Sequence, residues 1–143
     1  MSGPVLCALD VSNPHRDDEV LRRAAQIAAL DGAQLDVITV VPDYGMSVVG
    51  SFFGSGHHDT LEAEAKRLLN ALVIEVLGEE ANKTVRHLVS TGNAYDEILR
   101  AAKADGAALI VIGAHKPDFS DYLLGPNAAR VVRHAKCSVM VVR

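Results

Sequence analysis

Tryptophan is absent, aromatic residues make up 4% of the chain, and the two cysteines, Cys7 and Cys137, stand far apart. Each shortage closes off a class of function. There are too few rings for a platform on which single-stranded nucleic acid stacks base by base. Two widely separated cysteines make no metal-type pair. Positive charge is short as well: 14 Lys plus Arg against 18 Asp plus Glu leave a net charge of −4. A duplex-DNA binder needs a basic face to neutralise phosphates, so nucleic acid is not an expected partner. No apolar run approaches the length of a membrane span, so a membrane is not expected either. Met1-Ser2-Gly3-Pro4 does not open a signal peptide. The expectation is a cytoplasmic protein with both thiols reduced. Gly-x-x-x-x-Gly-Lys-Ser/Thr occurs nowhere, which excludes a P-loop.

What is present is the composition of a folded domain. The 143 residues are 49% apolar and 22% charged, enough to fill one core and too few for two, so residues 1–143 are expected to form a single domain. Val5-Leu6-Cys7-Ala8-Leu9 is a short, wholly apolar run ending at Asp10, as suits a strand covered on both faces. Val20, Leu21, Ala24, Ala25, Ile27 and Ala28 recur at helical spacing over 17–30. Asp17, Asp18 and Glu19 in the first turn complement the helix dipole, and Gly32 ends the helix. Leu35 to Val41 reads as a strand stopped by Pro42.

Residues 42–58 hold four glycines and no clear period, and are expected to form a long loop with a functional role. Residues 60–77 predict an amphipathic helix, with Asp59 as its cap. Thr84 to Ser90 alternates around Arg86, which places that strand at a sheet edge. A helix over 94–104 closes at Gly106, and Ala108 to Ile112 is a second wholly apolar strand ending at Gly113. Ala128 to Ala135 gives a short helix and Ser138 to Val142 a last strand.

Alternating strands and helices give an α/β fold: a five-stranded, mainly parallel open sheet with helices on both faces. The first and fourth strands are the most apolar and belong at the centre, which implies the order 3-2-1-4-5. Winding then reverses between them, and ligands of open α/β sheets bind at that switch point, beyond the carboxyl ends of the strands. Ala8, Leu9 and Asp10 end one of these strands, Ile112 and Gly113 the other.

Several segments resemble the universal stress protein family. These are the opening strand closing in Asp10-Val11-Ser12, the stretch Val89-Ser90-Thr91-Gly92-Asn93-Ala94-Tyr95-Asp96-Glu97-Ile98, and a tail of four pieces. The tail pieces are Ile110-Val111-Ile112-Gly113-Ala114-His115, Leu123-Leu124-Gly125, Val131-Val132-Arg133-His134-Ala135 and Cys137-Ser138-Val139-Met140-Val141-Val142-Arg143. The resemblance implies a Rossmann-like fold of the order deduced above, homodimers through the last strand, and in many members ATP at the switch point.

ATP-binding members carry Gly-x-x-Gly and, after a loop, Gly-Ser or Gly-Thr. Here Gly113 fits the first position, Lys116 replaces the second glycine, and Gly125 is followed by Pro126 and Asn127. The pattern is closer to a short-loop branch of the family. A helix N-terminus offers unpaired N–H groups and a positive dipole end to phosphate. Pro126 suits the first helical position but deletes one donor, while Asn127 and Ala128 keep theirs. Each lost donor to a charged oxygen costs roughly 1.5–3 kcal/mol. Lys116 returns part of that as a point charge.

Asp10 is placed to accept from ribose hydroxyls or, more simply, to cap its own turn to Ser12. Val40 matches the family position whose backbone faces adenine, and also reads as plain core. His115 reaches toward phosphate or stays in solvent. His57-His58-Asp59 lacks further ligands at recognisable spacing and is not expected to hold a metal.

The resulting expectation is an ATP-binding regulatory protein, with Mg²⁺ accompanying the phosphates and ADP or AMP as weaker ligands. The 42–58 loop is the element expected to order on binding. No nucleophile, base and orienting group can be assembled, so the enzymatic alternative is confined to slow ATP hydrolysis or self-phosphorylation. A dimeric interaction protein that has lost ATP is the third reading. The apolar strand Val139 to Val142 is expected to pair with a second copy, since an edge of that kind aggregates when left open.

Overall fold

The computed structural model describes residues 2–13, 15–43, 46–114 and 125–143, with 46–59 and 125–126 as backbone only. The elements run β1 (Val5–Ala8), α1 (Asp18–Asp31), β2 (Leu35–Val41), α2 (Met46–Leu77), α3 (Glu79–Asn82), β3 (Arg86–Thr91), α4 (Ala94–Asp105), β4 (Leu109–Gly113), α5 (Gly125–His134) and β5 (Ser138–Val142). The strands form one sheet in the order β3-β2-β1-β4-β5, and every pairing is parallel. The order expected from the apolar runs is the order observed.

The sheet is covered on both faces because β1 and β4 carry apolar side chains on both. Val5, Cys7 and Leu9 point to a cluster with Val20, Leu21, Ala24 and Ala28 of α1 and Leu69 and Val73 of α2. Leu6 and Ala8 point the other way, to Ile98 and Ala102 of α4 and Ala128 and Val131 of α5. Fully burying a Leu or Val contributes roughly 1.5–3 kcal/mol, so these alternating contacts hold the three layers together. Cys7 is wholly buried, and that burial, with the charge of Asp17 second, raises its thiol pKa; Cys137 is half-buried and also free. Among the described residues no helix is long and apolar enough to cross a membrane.

The structure corrects two expectations. Met46 to Leu77 is one helix, so the described part of the 42–58 stretch is not a loop. Asp59 lies inside α2 and does not cap it. The glycines misled, because each costs a helix only about 1 kcal/mol. A helix already nucleated over 60–77 extends backward by fixing one residue per hydrogen bond. The short α3 also escaped the sequence, being too brief to show a period.

Helices α1 and α4 end alike. Gly32 and Gly106 are left-handed, at φ 62° and 64°. Beyond each, a residue reaches back into the helix: Ala33 N–H donates to Ala28 O and Ala107 N–H to Ala102 O, at 2.8 and 2.9 Å. A side chain at Gly106 meets nothing within 4 Å, so the cost of replacing it is purely conformational. Gly106→Ala is expected to lower stability by about 1–2 kcal/mol without altering the fold, as measured by urea unfolding and circular dichroism.

Candidate functional site

All five strands being parallel, their carboxyl ends lie along one edge. There, between β1 and β2, opens a crevice lined by Ala8, Leu9, Asp10, Ile38, Val40, Pro42, Gly92, Ala94 and Ile98. Its free volume is narrow, about 30 Å³. Four of the sequence-predicted residues, Ala8, Leu9, Asp10 and Val40, meet here. Leu9 is fixed by its N–H, which donates to Ile38 O at 2.9 Å.

Five further lining residues were not singled out from the sequence: Ile38, Pro42, Gly92, Ala94 and Ile98. The signal for Gly92 was available, since a glycine between a strand end and a helix start allows a turn at positive φ, here 140°. Ile38 and Ile98 are core residues whose ends reach the crevice floor, and no local pattern marks them.

Asp10 stands at the rim in a tight turn. Its Oδ1 accepts from both the N–H and the hydroxyl of Ser12, and its Oδ2 from Asn13 Nδ2 at 2.7 Å. The Asp10 N–H donates to Asp17 Oδ2 at 2.7 Å. The turn-capping role is therefore present in the structure. A carboxylate offers about four acceptor positions, and these bonds leave one on Oδ2, so the turn holds the group rigid without exhausting it.

Ile112 is wholly buried in the core, and Ala128 packs its methyl group into the same cluster. Ile112 is thus a packing residue, and Ala128 has only its backbone N–H to offer a ligand. Gly113 pairs with Val142 on the far side of the switch point. Because Cys7 pairs with Val111, extending that register sets Gly113 level with Leu9. Gly125 opens α5, which confirms a helix start at Gly125-Pro126-Asn127, three residues before the expected Ala128. His115 and Lys116 lie outside the described residues, and so do the side chains of His57, His58 and Asp59. Among the described residues no group of three His, Cys, Asp or Glu side chains could hold a metal ion.

Asn127 does something unexpected. Its side chain is buried, and Oδ1 accepts from the Tyr95 N–H at 3.2 Å. The cap residue of α4, Asn93, makes no side-chain cap bond of its own. One of the orphan donors of α4 is thus satisfied from the first turn of α5, 32 residues away. Arg130, one turn on, stacks over the Tyr95 ring at 4.9 Å. Asn127 therefore ties two helix N-termini together at the carboxyl edge of the sheet. Asn127→Ala is expected to cost about 1 kcal/mol, the usual value of a lost cap, in urea unfolding of ligand-free protein. A residue serving only a ligand would leave that stability unchanged.

Comparison with known proteins agrees with this architecture. The family model described as universal stress protein family matches residues 1–143. Universal stress protein A homolog 1 of Coxiella burnetii is 32% identical over 146 residues, covering 96% of this chain and 94% of the relative. The universal stress protein of Archaeoglobus fulgidus, solved in complex with dAMP, superposes with a TM-score of 0.66 at 24% identity, covering 99% of this chain and 98% of that one. A universal stress protein solved in complex with cAMP gives 0.66 at 21% identity over 99% of each chain. The parallel sheet with its reversal between β1 and β4, the match along the whole sequence and the relative at 32% identity converge: the chain belongs to the universal stress protein family.

Proposed function

We propose that the protein is a cytoplasmic regulatory protein that binds an adenine nucleotide, ATP foremost, across the switch point of its sheet. The observation that carries this reading is the crevice between β1 and β2, apolar within and bearing the Asp10 carboxylate on its rim. Solved relatives in complex with cAMP and dAMP support it. In this reading the edge of the adenine enters between Ala8, Val40 and Ile98, with the backbone of Val40 facing it. The free acceptor of Asp10 takes a ribose hydroxyl, and the phosphates lie toward Gly113 and the first turn of α5. There the N–H groups of Gly125, Asn127 and Ala128 are the donors, with His115 and Lys116 adding positive charge and Mg²⁺ neutralising the rest.

The crevice is narrow, so sugar and phosphates stay outside it. Pro126 removes one donor from the first turn of α5. This weakens the hold on phosphate while leaving the base crevice intact. Calorimetric titration is expected to show ATP binding no more than about tenfold tighter than AMP, or about 1.4 kcal/mol. ATP binding far more tightly than AMP would mean an undiminished phosphate grip. No heat with ATP, ADP or AMP, together with an unmoved melting temperature, would favour an interaction protein without nucleotide.

The partner we propose is a second copy, paired through Val139–Val142. β5 is an edge strand on which Met140 and Val141 are 36% and 39% exposed, an open apolar edge of the kind that proteins cover. Val141→Pro removes a ladder donor there. It is expected to give monomer or precipitate by light scattering; an unchanged dimer would point to a different interface.

A further inference from the structure

At the opposite end of the sheet from the crevice lies a pair of buried carboxyl groups. Asp36, on β2, is wholly buried, and the Asp105 side chain at the last turn of α4 is 7% exposed. Arg86, which sits directly beside Asp36 in the β2–β3 register, gives its Nη1 to Asp105 Oδ1 at 3.0 Å. Three oxygens remain without a hydrogen-bond donor: both of Asp36 and Oδ2 of Asp105. Unpaired buried carboxylate oxygens are costly, and two facing carboxylates cannot both ionise cheaply beside one cation. A proton between them satisfies both groups at once.

We propose that a proton bridging Asp36 to Asp105 latches β2 to α4, so that the latch tightens as the pH falls. Bound, the proton sits as an Asp36 hydroxyl donating to Asp105 Oδ2, while Arg86 balances the remaining negative charge. Released, it goes to solvent and leaves two negative charges facing one guanidinium.

The surroundings on every side fit. From β1 the neighbour is apolar Leu6, from β3 it is Arg86, from α4 it is Asp105, and on the approach to β2 it is the amide of Gln34. Burial first, then the hydrogen bond to Asp105 and its charge, hold the Asp36 carboxyl up at about 7 against the opposing charge of Arg86, while the Gln34 amide donates instead to Leu35 O and Thr84 O. The latch also reaches the crevice. Ile38 lies two residues along β2 from Asp36 and Ile98 two turns along α4 from Asp105, and both line it. This last link rests on the nucleotide reading, whereas the shared proton does not.

The sign of the pH effect follows from linkage. In the unfolded chain Asp36 loses its proton near its ordinary value of 3.8, and in the folded protein at about 7. Between those values the folded state holds the extra proton, so this group's stabilisation is full below the window and lost as pH rises through it. One proton changes the folded-to-unfolded ratio by at most about tenfold per pH unit.

The test is urea unfolding of the ligand-free full chain from pH 4 to pH 8, wild type against Asp36→Asn. The asparagine amide donates permanently to Asp105 Oδ2. The variant's advantage over wild type is expected to grow from pH 4 to about pH 7, as wild type forfeits the proton's contribution, and to stay constant above that. Parallel curves for the two proteins would overturn the proposal. Carbon-13 NMR of the wild-type aspartate carboxyls decides the matter even where the variant fails to fold. A carboxyl titrating near 7 is expected, and full ionisation of every aspartate by pH 6 would refute the shared proton. A titration of ATP at pH 6 and pH 8 then separates the two readings. Affinity that falls with pH in wild type but not in Asp36→Asn ties the latch to the crevice. Absence of binding at either pH leaves the proton result standing and removes only the link.

Discussion

The structure turns on the burial of β1. A four-residue strand with every side chain inside must be flanked by strands on both edges and by helices on both faces. Parallel neighbours on both edges in turn require crossovers that run opposite ways across the sheet. The crossover to β2 passes over one face and that to β5 over the other, and the two diverge beyond the end of β1. The crevice between β1 and β2 borders that point. Asp10 stands at its rim because it is the first residue after the apolar run.

This explains why the architecture was legible in the sequence. Val5 to Leu9 and Ala108 to Ile112 are apolar without alternation, and only central parallel strands tolerate that. Arg86 within an alternating stretch pushed β3 to the edge, where it is found. Glycines at 32 and 106 closed their helices as expected, because each must be left-handed there. The segment after β2 was misread for a related reason. Glycine marks a boundary only when the neighbouring helix cannot run through it, and α2 runs through Gly50, Gly54 and Gly56.

The site was legible in part. Residues following a strand in sequence, such as Leu9 and Asp10, inherit their place from the fold and were found. Residues that reach the same place from a helix, such as Ile98, are invisible to local pattern, since the periodicity that puts them inward looks the same anywhere in a core. Asn127 shows the limit of motif reading. Its position after Gly125-Pro126 pointed to its backbone N–H as a phosphate donor, and gave no sign that its side chain caps α4. The donors of two helices compete for the polar groups at this edge, and a pattern drawn from one helix cannot reveal the other. Asp36 was passed over because a single carboxylate within an apolar strand has no periodic signature; its meaning comes from Asp105, 69 positions later.

The unequal fate of the two cysteines has a practical side. Cys7 is sealed in the middle of the sheet with its proton held tightly, while Cys137 lies half-open just before β5, at the end of the sheet away from the crevice. A thiol-directed alkylating reagent in solvent therefore meets one thiol per molecule. That sulfur is a ready-made attachment point for a single fluorophore, which can report on assembly along the last strand without obstructing whatever enters the other end.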